Sequence, residues 1–167
     1  ALDNVRESGI AEKIFFAPGN EIEVAIEAAK LDAQFVFDSI QGRGPLGALY
    51  TALTNTSAEW VFILACDLPF VTPALIANLS RYIYGEHGGF GAIVPEQPDG
   101  RLQPLCAFYN VAAARPVVEE ITGKPRPSPP MFEVVSLLNP RIVAPAEYDP
   151  VANSSAMYFR NINTEDD

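Results

Sequence analysis

The chain has 167 residues, 49% of them hydrophobic and 19% charged, which excludes a disordered polymer and leaves enough chain for one buried core. Its longest apolar run, residues 60–66, falls far short of the ~20 residues a membrane-spanning helix needs. Eleven Lys and Arg stand against 21 Asp and Glu, a net charge of -10 with no basic block, so no nucleic-acid partner is expected. A polyanionic small molecule could still be held, given local help from backbone N–H groups, a few cations or a divalent metal.

Taken in chain order, residues 1–9 read as the tail of a helix with Leu2 and Val5 apolar and Gly9 at its C-terminal end. They contain neither the basic nor the apolar region of a signal peptide. Residues 13–17 (KIFFA) read as a strand, 21–30 as a helix, and 34–37 (QFVF) as a second strand. A helix over residues 45–55, a strand over 60–65 (WVFILA) and a helix over 73–84 follow, the last opened by Thr72 as N-cap and Pro73 at its first position. Strands that are apolar throughout are expected to be buried on both faces. This predicts a Rossmann-like, doubly wound α/β fold, with a mostly parallel sheet and helices on both faces.

The second half predicts strands at 91–95 and 102–109, a helix over 112–122, a helix over 131–138, a strand over 141–144 and a closing segment at 158–163, with antiparallel pairing somewhere among them. Residues 123–130 (GKPRPSPP) hold four of the fifteen prolines and read as an extended surface loop within one domain spanning residues 1–167. Cys66 and Cys106 both sit in apolar runs without metal-ligand spacing and read as buried, reduced thiols of a cytoplasmic protein.

Ligands of open parallel sheets bind beyond the carboxyl ends of the strands, which directs attention to residues 18–20, Asp38 with 42–47, Asp67, and 101–104. Asp67 ends the apolar run at 60–66, where its carboxylate would meet a hard cation bridging it to phosphates; the alternative is a turn cap before the helix at Pro73. The segment 42–47 (GRGPLG) matches GxGxxG, but four residues separate it from its strand, and no acidic residue clearly ends a next strand ~20 positions on, Glu59 preceding its strand. Three readings stand: a dinucleotide turn, a flexible loop with Pro at the first helical position, or, with Asp38, a nucleoside site whose carboxylate takes ribose hydroxyls or the guanine N1–H and N2 amino group. His87, the only histidine, lies in a glycine-rich turn without a nucleophile at useful spacing.

Four blocks then line up in order: residues 37–53 (FDSIQGRGPLGALYTAL), 60–76 (WVFILACDLPFVTPALI), 102–109 (LQPLCAFY) and 159–167 (FRNINTEDD). Together they resemble the MobA-type molybdenum cofactor guanylyltransferases, within the wider group of nucleotide-diphospho-sugar transferase-like folds. The resemblance implies transfer of GMP from GTP to molybdopterin with release of pyrophosphate, and Mg²⁺ as cofactor. It also implies that Asp67 is the catalytic, metal-binding aspartate. By the same resemblance Asp38 contacts the guanine nucleotide, Gly44, Pro45 and Leu46 shape the loop beside it, and Asn20 falls near a further nucleotide contact. Asn161 and Asn163 match an Asn-x-Asn-Thr motif on the pterin side, followed here by Glu165 where the family has Pro, and Arg101 is a phosphate contact. Molybdoenzymes or their chaperones are the implied protein partners. The family begins with a strand, a Gly-rich turn and a Lys that cradle the triphosphate; residues 1–19 match none of these, so the first strand is expected to be missing and the chain alone to be inactive. Another nucleotidyltransferase (cytidylyl or phospholactate guanylyl), a non-catalytic nucleotide-binding or scaffold protein of the same fold, and a Rossmann oxidoreductase remain as alternatives.

Overall fold

The computed structural model describes residues 2–9, 15–16, 34–36, 39–84, 89–125, 127–149 and 155–160. The expected helix at 21–30 and the turn carrying His87 lie outside these residues. Helix α1 (Leu2–Glu7) ends where Gly9 takes φ +68°, as its terminal glycine suggested. Strands β1 (Phe15–Phe16) and β2 (Gln34–Phe35) pair in parallel. Helix α2 (Pro45–Thr54), strand β3 (Trp60–Leu64) and helix α3 (Pro73–Ser80) follow. Then come β4 (Ala92–Pro95), β5 (Cys106–Asn110), α4 (Val111–Thr122), α5 (Met131–Ser136), β6 (Arg141–Val143), α6 (Pro145–Tyr148) and α7 (Ser155–Tyr158).

Four strands form one sheet in the order β3-β5-β4-β6. β5 is antiparallel to both of its neighbours, while β4 and β6 are parallel. Three of the four strands therefore point the same way and β5 alone is reversed, so the sheet is mixed. The reversal follows from a direct hairpin between adjacent strands, closed by the Gln97 N–H to the Arg101 carbonyl at 2.7 Å over a turn where Gly100 takes φ +84°.

The period-two pleat sorts the apolar side chains onto both faces. Ala92 and Val94 of β4 and Ala107 and Tyr109 of β5 face α2, α4 and α5 through Leu46, Leu49, Leu53, Val118 and Val134. Ile93, Cys106 and Phe108 face the other way, against Leu75, Ile76 and Leu79 of α3, with Phe62 and Phe108 stacked at 4.6 Å between ring centroids. Helices thus cover both faces, as the sequence suggests. At Gly91 a Cβ would stand 2.5 Å from the Leu138 carbonyl, which already accepts the Gly91 N–H, so only glycine permits this approach of β4 to the segment after α5.

Three expectations need correction. The run at 60–66 is only half-buried, whereas β4 is buried throughout. β3 pairs with β5 along one edge, and apolar composition alone overstated its burial. Cys66, one step beyond that strand, is exposed; Cys106, inside β5, is fully buried, and that burial pushes its thiol pKa up and keeps it protonated. Pro104, which has no N–H to give a ladder, shortens the expected strand at 102–109 to β5 plus one bridge between Glu96 and Leu102. No described helix is long and apolar enough to cross a membrane.

Candidate functional site

Chain direction collects three candidate segments at one end of the sheet. Helix α2 packs on β3, and its C-terminus connects through residues 55–59 to the start of that strand. A ten-residue helix is about 15 Å long and a five-residue strand about 16 Å, so the N-terminus of α2 lies level with the carboxyl end of β3. The GRGPLG segment and Asp67 therefore share that end. Because β5 runs backwards, its beginning lies there too: Leu64 pairs with Cys106, and the Ala65 N–H donates to the Leu105 carbonyl at 2.9 Å. The turn at 103–105 is thus bonded to the residues that lead into Asp67.

Each segment is held by specific contacts. Asp67 is half-buried in a turn closed by the Leu68 N–H on the Ala65 carbonyl at 3.3 Å, and its carboxylate has no hydrogen-bond or ion-pair partner among the described residues. It does not cap α3; Thr72 does, accepting the Leu75 N–H at 3.3 Å. Nor does its carboxylate, without a partner among the described residues, fill the turn-capping role the spacing had left open. In the glycine segment Gly42 takes φ +75° and Gly44, the N-cap of α2, φ +54°, with no side chain capping the helix. Gly44 and Pro45 are exposed, and the Leu46 side chain is 1% exposed within the core, so Leu46 offers a ligand only its backbone. Pro45 brings no N–H and the Gly47 N–H already donates to the Gly44 carbonyl at 2.9 Å, which leaves the Leu46 N–H as the donor the first turn of α2 can offer a ligand.

Arg101 is exposed at the β4–β5 hairpin and paired with Asp99, its Nε donating at 2.7 Å and its Nη2 at the same distance. The pairing lowers the Asp99 pKa and raises that of Arg101, through their mutual hydrogen bond first. An exposed pair of this kind is worth little, so a phosphate could compete for the guanidinium. Asp38, Asn20, Asn161 and Asn163 lie outside the described residues.

Three supports escaped the sequence reading. The Thr51 hydroxyl, on the buried face of α2, donates to the Gly47 carbonyl at 2.8 Å and accepts the Ser39 N–H at 2.9 Å, tying the residue next to Asp38 onto the helix. A lone threonine four residues after Gly47, among Leu46, Leu49 and Leu53, was the signal available. The Tyr109 hydroxyl donates to the Pro104 carbonyl, and Arg43 donates to the Thr122 carbonyl at the end of α4 and to the Lys124 carbonyl beyond it. Among the described residues no three His, Cys, Asp or Glu side chains gather into a metal-holding group. A cation held by Asp67 together with water and phosphate oxygens would suit Mg²⁺ better than Zn²⁺.

Comparison with known proteins places the chain in a family. The chain is 34% identical over 130 residues to the Methanothermobacter thermautotrophicus protein described as a molybdenum cofactor guanylyltransferase, covering 78% of this chain and 62% of that protein. A Methanocaldococcus jannaschii protein of the same description is 29% identical over 149 residues, covering 87% and 70% respectively. Among solved structures, the Archaeoglobus fulgidus molybdopterin-guanine dinucleotide biosynthesis protein A superposes with a TM-score of 0.70 at 23% identity, over 91% of this chain and 73% of that one. The Thermus thermophilus 2-C-methyl-D-erythritol 4-phosphate cytidylyltransferase shares the fold at a TM-score of 0.62 and 17% identity, over 99% of this chain and 83% of that one. Residues 1–132 match the family described as the MobA-like NTP transferase domain, and the chain belongs to that family.

Proposed function

We propose that this chain provides the nucleotide and metal sites of a guanylyltransferase that joins GMP from GTP to the terminal phosphate of molybdopterin. The observation that carries the reading is the placement, toward the carboxyl end of β3, of a carboxylate without a partner among the described residues (Asp67) and the turn at 103–105, with the glycine segment that opens α2 toward the same end. The description of the relatives as molybdenum cofactor guanylyltransferases supplies the substrates.

In this reading an acceptor phosphate oxygen attacks the α-phosphorus of GTP in line, the bond to the bridging oxygen of the β-phosphate breaks, and pyrophosphate leaves. Positioning and charge do nearly all the work, because no proton need be taken from the attacking oxygen. Asp67 would hold Mg²⁺, which when bound neutralises charge on the phosphates. Asp38 accepts from the guanine N1–H and N2 amino group or from the ribose, while the glycine loop lets the backbone approach the nucleoside. Arg101 would leave Asp99 for a phosphate oxygen, Asn20 adds a nucleotide contact, and Asn161 and Asn163 serve the pterin. We place the reaction in the cytoplasm, with molybdoenzymes or their chaperones receiving the product.

The test is nucleotide-dependent stabilisation of the intact protein, followed by transfer to molybdopterin with Mg²⁺. GTP should raise the melting temperature more than CTP, UTP or ATP, and pyrophosphate should appear only with the pterin present. Stabilisation by CTP alone would assign a cytidylyl transfer instead, and stabilisation by none would leave a scaffold.

A further inference from the structure

An arginine between two glycines at a nucleotide loop invites assignment as a phosphate contact. Its geometry is different. The Arg43 Nη2 donates to the Thr122 carbonyl at 3.1 Å and to the Lys124 carbonyl at 2.7 Å, and the Arg43 carbonyl accepts from the Ser128 hydroxyl at 3.4 Å. The first acceptor is the last residue of α4, where carbonyls lack helical partners and the helix dipole favours a cation, and the second lies two residues beyond it. Main chain and side chain of one residue thus both reach the connection between α4 and α5, which carries the proline-rich segment.

We propose that Arg43 is a positioning residue for nucleotide binding: it clamps the Gly42–Leu46 loop to the segment at 122–128, so that this proline-rich segment and the loop behave as one rigid wall of the site. The proposal rests on the guanylyltransferase reading for the identity of the ligand, and on the three hydrogen bonds for the clamp itself. The need for a clamp follows from the loop's own composition. Gly42 and Gly44 both occupy left-handed backbone, φ +75° and +54°, and a Cβ at either would meet nothing within 4 Å. Conformation there is not enforced by packing around the glycines. With two freely rotating residues flanking it, the loop would lose most of its order unless something outside held it, and binding would then bear the entropic cost of ordering it. The prolines at 125, 127, 129 and 130 stiffen the opposite anchor, since each has a fixed φ.

A clamp and a phosphate contact make different predictions for one set of ligands. GTP, GDP and GMP share the base and ribose and differ in phosphate charge. In the intact protein, Arg43→Ala should weaken all three by one common factor of about tenfold, and the factor should not change between low and high salt, because a loosened loop costs each ligand the same. Hydrogen exchange of the nucleotide-free protein should rise together in peptides covering 39–47 and 119–132. Arg43→Lys, which keeps the charge but not the planar fork, should recover little of the loss and should serve if the alanine variant folds poorly. A loss that grows from GMP to GTP and shrinks with salt, with rescue by lysine, would make Arg43 a phosphate ligand and overturn the clamp. Unchanged exchange at 119–132 in either variant would overturn it as well. If the parent protein binds no guanine nucleotide, the guanylyltransferase reading fails, and the exchange measurement alone still decides the clamp.

Discussion

The Tyr109 hydroxyl donates to the Pro104 carbonyl at 2.8 Å, five residues back along the chain and fully inside the protein. A side chain near the end of β5 thereby holds the turn from which β5 begins, the same turn whose Leu105 carbonyl binds the Ala65 N–H ahead of Asp67. Burial raises the Tyr109 pKa, so the hydroxyl stays a donor across the working range of pH. Tyr109→Phe removes the donor without removing the ring, and should cost about 1–3 kcal/mol because the Pro104 carbonyl stays buried. Urea denaturation reads this as a lower midpoint at unchanged slope. An unaltered midpoint would mean that the turn is held elsewhere.

Thr51 does for the second strand's exit what Tyr109 does for the fifth strand's entry. Its hydroxyl joins Gly47 within α2 to Ser39 beyond β2, and it is 1% exposed. Thr51→Val keeps the shape and removes both bonds, while Thr51→Ser keeps the hydroxyl. The valine variant should lose about 1–2 kcal/mol of stability and bind GTP more weakly, because the backbone beside Asp38 is released; the serine variant should retain most of both. Loss of GTP affinity by the serine variant equal to that by valine would assign the effect to packing of the methyl group instead.

Asp67 stands at the end of β3 with no partner among the described residues, and α3 already has its cap in Thr72. Replacing it by Asn should leave the fold intact, since no described contact depends on the charge. Mg²⁺-dependent transfer should nonetheless fall by at least ~10²-fold, the scale of losing one electrostatic group in a transition state. Circular dichroism and the melting temperature check the first half, pyrophosphate release the second. A folded variant with near-normal turnover would remove Asp67 from the chemistry.

Much of this arrangement could be read from the chain before its structure, and the boundary has a physical cause. The spacing of Leu46, Leu49 and Leu53 carries the buried face of α2, and Thr72-Pro73 the start of α3, because both signals are local. The exposure of β3 was not local: WVFIL is equally apolar whether one edge is paired or two, and its half-buried state depends on which strands lie beside it. Asp67 and Arg101 were legible as residues next to apolar runs. The pairing of Arg101 with Asp99, two residues away, could have been read and was not. The bonds from Arg43 to Lys124 and from Ser39 to Thr51 join residues 81 and 12 apart, and no periodicity announces a side chain seeking a distant carbonyl. The short helix α6 did carry a signal, Pro145 at its first position and Glu147 two later, but four residues are too few for hydrophobic spacing to register.

That helix sets the pH response expected of the far edge of the sheet. The Glu147 carboxylate accepts the Ala144 N–H at 2.9 Å, the Tyr82 hydroxyl at 3.0 Å and the Arg141 guanidinium, which also lies 4.6 Å over the Tyr82 ring. Partial burial alone would raise its pKa, yet the hydrogen bonds from Ala144, Arg141 and Tyr82 outweigh this and hold it below the ordinary 4.5. A carboxyl whose pKa is depressed by folding binds fewer protons folded than unfolded. Its contribution is therefore complete above pH 4.5 and disappears as pH falls through the lowered value. The cluster is partly open to solvent, so the amount should be ~1 kcal/mol or less. Glu147→Gln should accordingly be slightly less stable than the parent at pH 7, and the gap should close as the pH is lowered below about 4.5. Denaturation midpoints of the two proteins across that range measure it. A gap that stays constant with pH would mean that Glu147 acts only as a neutral hydrogen-bond acceptor at the start of α6, and that its charge contributes nothing to holding β6 and α6 against Tyr82.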